Sequence, residues 1–308
     1  MQPLKIAITA DNHLVTQSKT PERFQALADI YRQCGEEGVQ LLIIAGDLFE
    51  QTMANYPEFE KVYQTSRPID LKTVIIPGNH DHQLQGEALA GEGLVVYSEP
   101  TLRPLNDSRK ILFLPYKDQQ TMGEAIAPFA EELSSQRWIL IGHGDWSAGQ
   151  KIPDPYERGI YMPLTRPDLK SYQPEMVFLG HIHLAQQDGL VYYPGSPFPL
   201  HIGETGIRKF IILDTAKGEV EYRPVNTALI YFDESFLVIP GEDELSSLEK
   251  DIQERITGWQ LPEGWADRVQ VRVRISGSSS TGRTEIQSLV ESSFAPYRFY
   301  QDQPPDLD

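Results

Sequence analysis

Five short apolar runs in this chain each lead into a small polar cluster, and that repeated juxtaposition restricts the fold and the chemistry together. Leu4-Lys5-Ile6-Ala7-Ile8 precedes Asp11-Asn12-His13, Leu41-Leu42-Ile43-Ile44 precedes Gly46-Asp47, and Val74-Ile75-Ile76 precedes Gly78-Asn79-His80-Asp81. Trp138-Ile139-Leu140-Ile141 precedes Gly142-His143-Gly144, and Met176-Val177-Phe178-Leu179 precedes Gly180-His181-Ile182-His183. Nearly continuous apolar runs of this length, bounded by glycine or proline, read as strands covered on both faces in layered α/β folds. The clusters then sit at strand C-terminal ends. If the strands are roughly parallel, those ends lie along one sheet edge, where ligands bind in open α/β sheets. Glycines at 46, 78, 142 and 180 suit a chain that turns sharply or passes close to a ligand there.

The cluster chemistry points to metal. Five of the seven histidines lie inside the clusters and a sixth, His82, directly follows the third. Imidazoles mixed with carboxylates and one carboxamide, without thiolate, suit divalent Mn, Fe or Zn and argue against a cysteine-rich structural zinc. Asp11 and His13, two residues apart, can turn toward one ion; His181 and His183 can face a pair. Asp47 can bridge two cations through its two oxygens. Two ions about 3.5–4 Å apart would clamp a phosphoryl group, lower the pKa of a water and stabilise the attacking and leaving oxygens. His82 is read as either a loop residue or a substrate-facing one, and His201 as a non-ligand. Arg103, Arg208 and Lys209 could touch phosphate but read first as solvated cations.

In this order, D-x-H, G-D, G-N-H-D, G-H and G-H-x-H resemble the calcineurin-like metallophosphoesterases over roughly the first 200 residues. The resemblance implies a four-layer α/β/β/α sandwich. It assigns Asp11, His13, Asp47 and His183 to one ion, and Asp47, Asn79, His143 and His181 to the other. It places His80 against the scissile phosphate as the group that protonates the leaving oxygen or stabilises the transition state, with Asp81 orienting its ring.

Ala45-Gly46-Asp47-Leu48-Phe49-Glu50 and Pro194-Gly195-Ser196-Pro197 are similar to segments of the SbcD-type DNA exonuclease branch. After Arg223-Pro224 the pattern predicts strand, helix, strand, Ser/Gly loop (276–282), helix and short strand. Asp243 is read as an N-cap and Gly258 as a helix stop. This gives a metallophosphoesterase domain over 1–225 and a small α/β domain over 226–308, which resembles the DNA-gripping cap of that branch. The resemblance implies DNA as substrate, two Mn ions, pairing of two chains through the phosphoesterase domains, and an SbcC-like ATPase as partner. Val15 and Glu50 depart from the branch pattern, and the acidic tail ending at Asp308 offers no helix for such an ATPase, so a stand-alone nuclease fits equally well.

Charge and composition set further bounds. The net charge is −17, with an acidic excess of 9 up to residue 225 and of 8 after it, so the chain lacks the basic footprint of a tight DNA binder. Arg272 and Arg274 alternate with valines and share one strand face, which reads as a DNA contact or a solvated face. The acidic surface suits instead a phosphodiesterase or phosphatase acting on small molecules such as cyclic nucleotides; a non-catalytic scaffold does not explain the full ligand set. The lone Cys34 excludes an intrachain disulfide and reads as a packing residue. No apolar run reaches the roughly 20 residues of a membrane span, and no signal peptide is visible. The chain is therefore expected to be cytoplasmic.

Overall fold

A computed structural model describes residues 4–50, 55–106, 108–147 and 159–307. The chain divides into two compact units, one of residues 1–198 and 208–226, the other of 199–207 and 227–308.

The first unit is a mixed α/β fold built on two six-stranded sheets. The first sheet runs, edge to edge, Glu219–Pro224, Lys209–Asp214, Lys5–Thr9, Leu41–Ala45, Lys72–Ile76, Leu94–Val96. The second runs Gln186–Asp188, Val191–Tyr193, Met176–Gly180, Arg137–His143, Arg109–Leu114, Thr101–Asn106. The five apolar runs are thus divided, three strands in one sheet and two in the other, rather than along a single edge. Within each set neighbouring strands are parallel, so their carboxyl ends still point the same way in each sheet.

Both faces of these strands are covered, which explains why their sequences run apolar without alternation. Ile6, Ile8, Ile43, Val74 and Ile76 pack against Ile111, Phe113, Ile139, Ile141 and Phe178 between the sheets. Leu140, Val177 and Leu179 pack instead with Met122, Ala125, Ile126 and Leu164 on the far side of the second sheet. The first sheet is covered by two helices, Pro21–Glu36 and Tyr56–Ser66, each carrying a proline in its first turn, where the missing N–H costs nothing. Phe24, Leu27, Ile30, Tyr31 and Cys34 form the buried stripe of the first helix at helical spacing. Cys34 is a free, buried core residue whose thiol is pushed up to about 12 by burial.

The second unit is simpler. Strands Ile230–Val238, Arg298–Phe299 and Asp306–Leu307 all pair in parallel with the central Val269–Gly277. Strict alternation buries Val269, Val271, Val273 and Ile275 against helices Glu244–Gly258 and Arg283–Ser293, through Leu248, Ile252, Ile286 and Val290. Trp259 stacks on Phe232 with centroids 3.9 Å apart. One detail adds to the pattern reading and one differs from it. In the acidic tail Leu307 joins the apolar core within a short strand. Asp243 precedes its helix but its side chain makes no capping bond, and the neighbouring Glu244 is bound by the Ser279–Thr281 loop instead. Residues 199–207 belong to this unit through a bridge from Thr205 to Tyr231. Among the described residues no helix is long and apolar enough to cross a membrane.

Candidate metal centre

The polar clusters at the ends of the five strands converge on one buried site. Asp11, His13, Asp47 and His143 are at most 1 % exposed, and His181 is buried. Three of these, Asp11, His13 and Asp47, hold the left-handed backbone conformation, with φ of 56°, 46° and 51°, and His181 is further displaced at 98°. Such positions cost about 1–3 kcal/mol each and persist only where the surroundings enforce them. Here the strand ends enforce them: Asp11 N–H donates to the Gly46 carbonyl and His13 N–H to the Asp47 carbonyl, both at 3.0 Å. The glycines beside them keep the site open. A Cβ on Gly46 would lie 2.0 Å from His143 Nδ1, and one on Gly78 would lie 2.2 Å from Asp47 Oδ1.

Three ligand-capable groups overlap around these residues: Asp11, His13 and His183; Asp11, Asp47 and His143; and His13, Glu50 and His80, each with atoms within 4.8 Å of one another. On one side, His13 Nε2 and His183 Nε2 face each other at 3.0 Å. On the other, Asn79 Oδ1 lies 2.8 Å from His143 Nε2 and 3.1 Å from His181 Nδ1. Asp47 stands between them, its Oδ2 3.3 Å from His143 Nε2 and 3.8 Å from His13 Nε2. The structure therefore brings together all seven residues that the sequence pattern singles out as metal ligands.

The donor set fits a cation on physical grounds. Asp11 Oδ2 is fully buried and has no hydrogen-bond partner among the described residues, although an uncompensated buried carboxylate oxygen is costly. Its other oxygen accepts His181 N–H at 2.9 Å. His143 Nδ1–H donates to the Ala45 carbonyl at 2.9 Å, which aims Nε2 into the site, the arrangement by which an outer partner orients a ligating imidazole. Without a cation, burial pulls the His143 imidazole down, but the Asp47 carboxylate, with Asp11 and the Ala45 carbonyl, raises the ring above its ordinary value. Burial likewise tends to raise Asp47, while His143, His13 and His80 hold it below the usual carboxylate range.

His80 and Asp81 occupy different surroundings from those expected. Both Asp81 oxygens accept backbone amides, Oδ1 from Gly78 at 2.6 Å and Oδ2 from Phe49 at 3.2 Å. Burial, with Asp47 nearby, raises this carboxyl. The His80 ring meets Glu50 instead, with Nδ1 3.1 Å from Oε1, while Glu50 Oε2 is 2.9 Å from His13 Nδ1. Those two histidines hold the Glu50 carboxyl below its ordinary range. Asp81 thus shapes the loop between Gly78 and His80, and Glu50 is the carboxylate on the ring. The sequence signal for Glu50 is only its place three residues after Asp47, and ring orientation is a tertiary property. Asp145 was equally silent in the pattern: its Oδ2 accepts Tyr161 N–H at 2.8 Å, and its Oδ1 lies 4.0 Å from His181 Nε2. Tyr161 in turn packs on the His181 ring at 4.6 Å.

The remaining candidates fall elsewhere. His82 is exposed and donates through Nδ1 to the Asn79 carbonyl at 3.1 Å. His201 lies in the second unit, 3.3 Å from Glu204. Arg208 is buried and braces the His183 segment, donating to the Ser196 and His183 carbonyls. Arg103 is engaged with Tyr97, and Lys209 is an exposed residue at the start of an edge-side strand. Arg272 and Arg274 share one strand face, as their spacing predicts, but both close on Asp233, Arg272 through Nε at 3.0 Å and Arg274 through Nη2 at 2.9 Å.

A curated relative, the uncharacterized metallophosphoesterase YhaO of Bacillus subtilis (strain 168), is 27 % identical over 202 residues, covering 60 % of this chain and 48 % of the relative. The match thus spans about half of that relative's length. Among solved structures, a putative 5'-nucleotidase from Staphylococcus aureus is similar with a TM-score of 0.47 at 14 % identity, over 82 % of this chain and 58 % of that one. A dimetal phosphatase from Danio rerio is similar with a TM-score of 0.48 at 11 % identity, over 72 % and 97 %. The profile of the calcineurin-like phosphoesterases matches residues 4–185, every strand end that feeds the buried site, and the chain belongs to that family.

Proposed function

We propose that this protein is a two-cation phosphodiesterase whose substrate is DNA, in the manner of the SbcD-type nucleases. The observation that carries the reading is the position of Asp47 between two separate sets of facing nitrogens and oxygens, His13 with His183 and Asn79 with His143 and His181. One set would hold one ion with Asp11, the other a second, and Asp47 would serve both. Two divalent cations there would supply charge neutralisation and Lewis-acid polarisation of a phosphoryl group. The donors, imidazole, carboxylate and carboxamide without thiolate, suit Mn, Fe or Zn alike, and manganese follows from the resemblance to the SbcD-type nucleases.

The protein's own residues divide the remaining work. His80, 23 % exposed at its side chain, reaches the open side of the site, where an imidazole can give a proton to a leaving oxygen. Glu50 holds the ring in place through its contact at Nδ1.

DNA as substrate is supported by the Gly46-Asp47-Leu48-Phe49-Glu50 and Pro194-Gly195-Ser196 segments and by the α/β unit that follows the phosphoesterase unit. A second reading, hydrolysis of a small phosphodiester, is favoured by one observation: Asp233 neutralises the two arginines best placed to grip a backbone. Cleavage of end-labelled linear duplex and single-stranded DNA with Mn, beside hydrolysis of bis(p-nitrophenyl) phosphate, separates the two. Progressive shortening of DNA by wild type and none by Asp47→Asn supports the nuclease. Intact DNA with hydrolysis of the small diester assigns the second reading.

A further inference from the structure

The strand Ile230–Val238 pairs with Val269–Gly277 along its whole length on one side. On its other side it carries the bridge from Thr205, closed by Gly206 N–H donating to the Tyr231 carbonyl at 2.8 Å, and no described strand pairs beyond it along Asp233, Ser235 and Leu237. Successive residues of a strand direct their backbone groups to opposite sides, so the N–H and C=O of Asp233, Ser235 and Leu237 point outward with those of Tyr231. The Val238 carbonyl, which accepts from Ser278 on the paired side, fixes the alternate set. No lysine or proline blunts the strand, and Leu237 and Ile239 are 63 % and 68 % exposed, whereas natural sheet edges are usually protected.

Beside this edge lies a groove of about 530 Å³, with Ser235 and Leu237 on one wall and Asp251, Glu254, Arg255 and Trp259 on the other. Asp251, Glu254 and Gly258 recur at intervals of three and four along helix Glu244–Gly258 and therefore share one face. Arg255 is committed to Glu234 at 2.6 Å, and among the described residues Glu254 pairs only with the exposed Lys250 at 3.7 Å, so the helical wall is acidic.

We propose that this groove takes, by strand addition, an extended segment of a partner protein that alternates basic and apolar side chains. Backbone pairing to Asp233, Ser235 and Leu237 supplies affinity, and the alternation supplies choice. Basic side chains on the helix side meet Asp251 and Glu254. Apolar ones on the opposite face lie against Leu237, whose side chain points away from the helices by the strand's alternation.

The test uses the full chain and a fluorescein-labelled octapeptide alternating lysine and valine, followed by anisotropy at about 150 mM salt, where long-range attraction to the acidic surface is screened. The same peptide N-methylated at alternate residues keeps its charge and loses its backbone donors. Binding of the first, absence of the second, and weakening by about tenfold or more in Asp251→Lys/Glu254→Lys is the expected result. Ser235→Pro, at an outward N–H where an edge strand tolerates proline, should weaken binding without lowering phosphodiesterase turnover. Equal binding of both peptides, or unchanged binding in the charge-reversed variant, overturns the proposal. So does a concentration-dependent dimer that Ser235→Pro abolishes, because the edge would then be filled by a second copy of this chain.

Discussion

The two units solve the problem of buried polar groups in opposite ways. In the second unit the one carboxylate on the inward face of strand Ile230–Val238, Glu234, has both oxygens satisfied, by Trp259 Nε1 at 2.8 Å and Arg255 at 2.6 Å. In the first unit Asp11 Oδ2 has no protein partner among the described residues, and four residues of the same site hold positive φ. A region built for stability closes its polar networks, since a partly satisfied one is costly. The strand ends of the first unit leave theirs open, and a cation is the group that completes them.

The largest expected effect breaks the open site outright. Asp47→Asn removes the carboxylate shared by both ligand sets, and turnover should fall to background with metal content reduced, measured by hydrolysis assay and elemental analysis on the same sample. If the variant keeps its metal and its rate, Asp47 is not shared. Next in size, His80→Ala should retain metal while turnover falls by about 10²–10⁴-fold, the span of general acid catalysis; an undiminished rate would remove His80 from the reaction. Glu50→Gln sharpens the contrast further. Because Glu50 acts through His80 and His13, a loss of about 10–100-fold is expected, the usual cost of losing a partner that orients a ligand or ring. An unchanged rate would mean that Glu50 only packs.

How much of this was legible in the sequence follows from what is local. Buried strands announce themselves by composition, and Asp11, His13, Asp47, Asn79, His143, His181 and His183 stand out because ligand chemistry recurs at fixed offsets after them. The direction of the His80 ring was not legible, because it depends on how the Phe49-Glu50 turn meets the Gly78–Asp81 loop across 30 residues of chain. Arg272 and Arg274 were placed correctly on one face, but their neutralisation by Asp233 depends on the register of two strands nearly 40 residues apart. The attachment of residues 199–207 to the second unit, and of Leu307 to its core, rests on short, long-range contacts that leave no periodic trace.

Smaller effects probe the closed networks of the second unit. Hydrogen bonds from Ser279, Thr281 and Ser280 hold the Glu244 carboxyl below its ordinary range. A carboxyl lowered in the folded state contributes stability above its unfolded pKa, about 4.3, and loses it as pH falls through the folded value. The melting temperature of Glu244→Gln should therefore lie below wild type at pH 7, with the gap closing as pH falls below about 4. A gap independent of pH would assign the loss to packing. Smallest of all, Arg272→Glu/Arg274→Glu should leave hydrolysis of bis(p-nitrophenyl) phosphate unchanged and affect DNA cleavage only if that face touches DNA.

The most direct test of the central claim is calorimetric titration of Mn into chelator-stripped protein, for wild type and Asp47→Asn. Two ions per chain in wild type, with both sites weakened in the variant, is the result that a carboxylate standing between two ligand sets predicts. A single ion in wild type, or two retained with unchanged affinity in the variant, would contradict it.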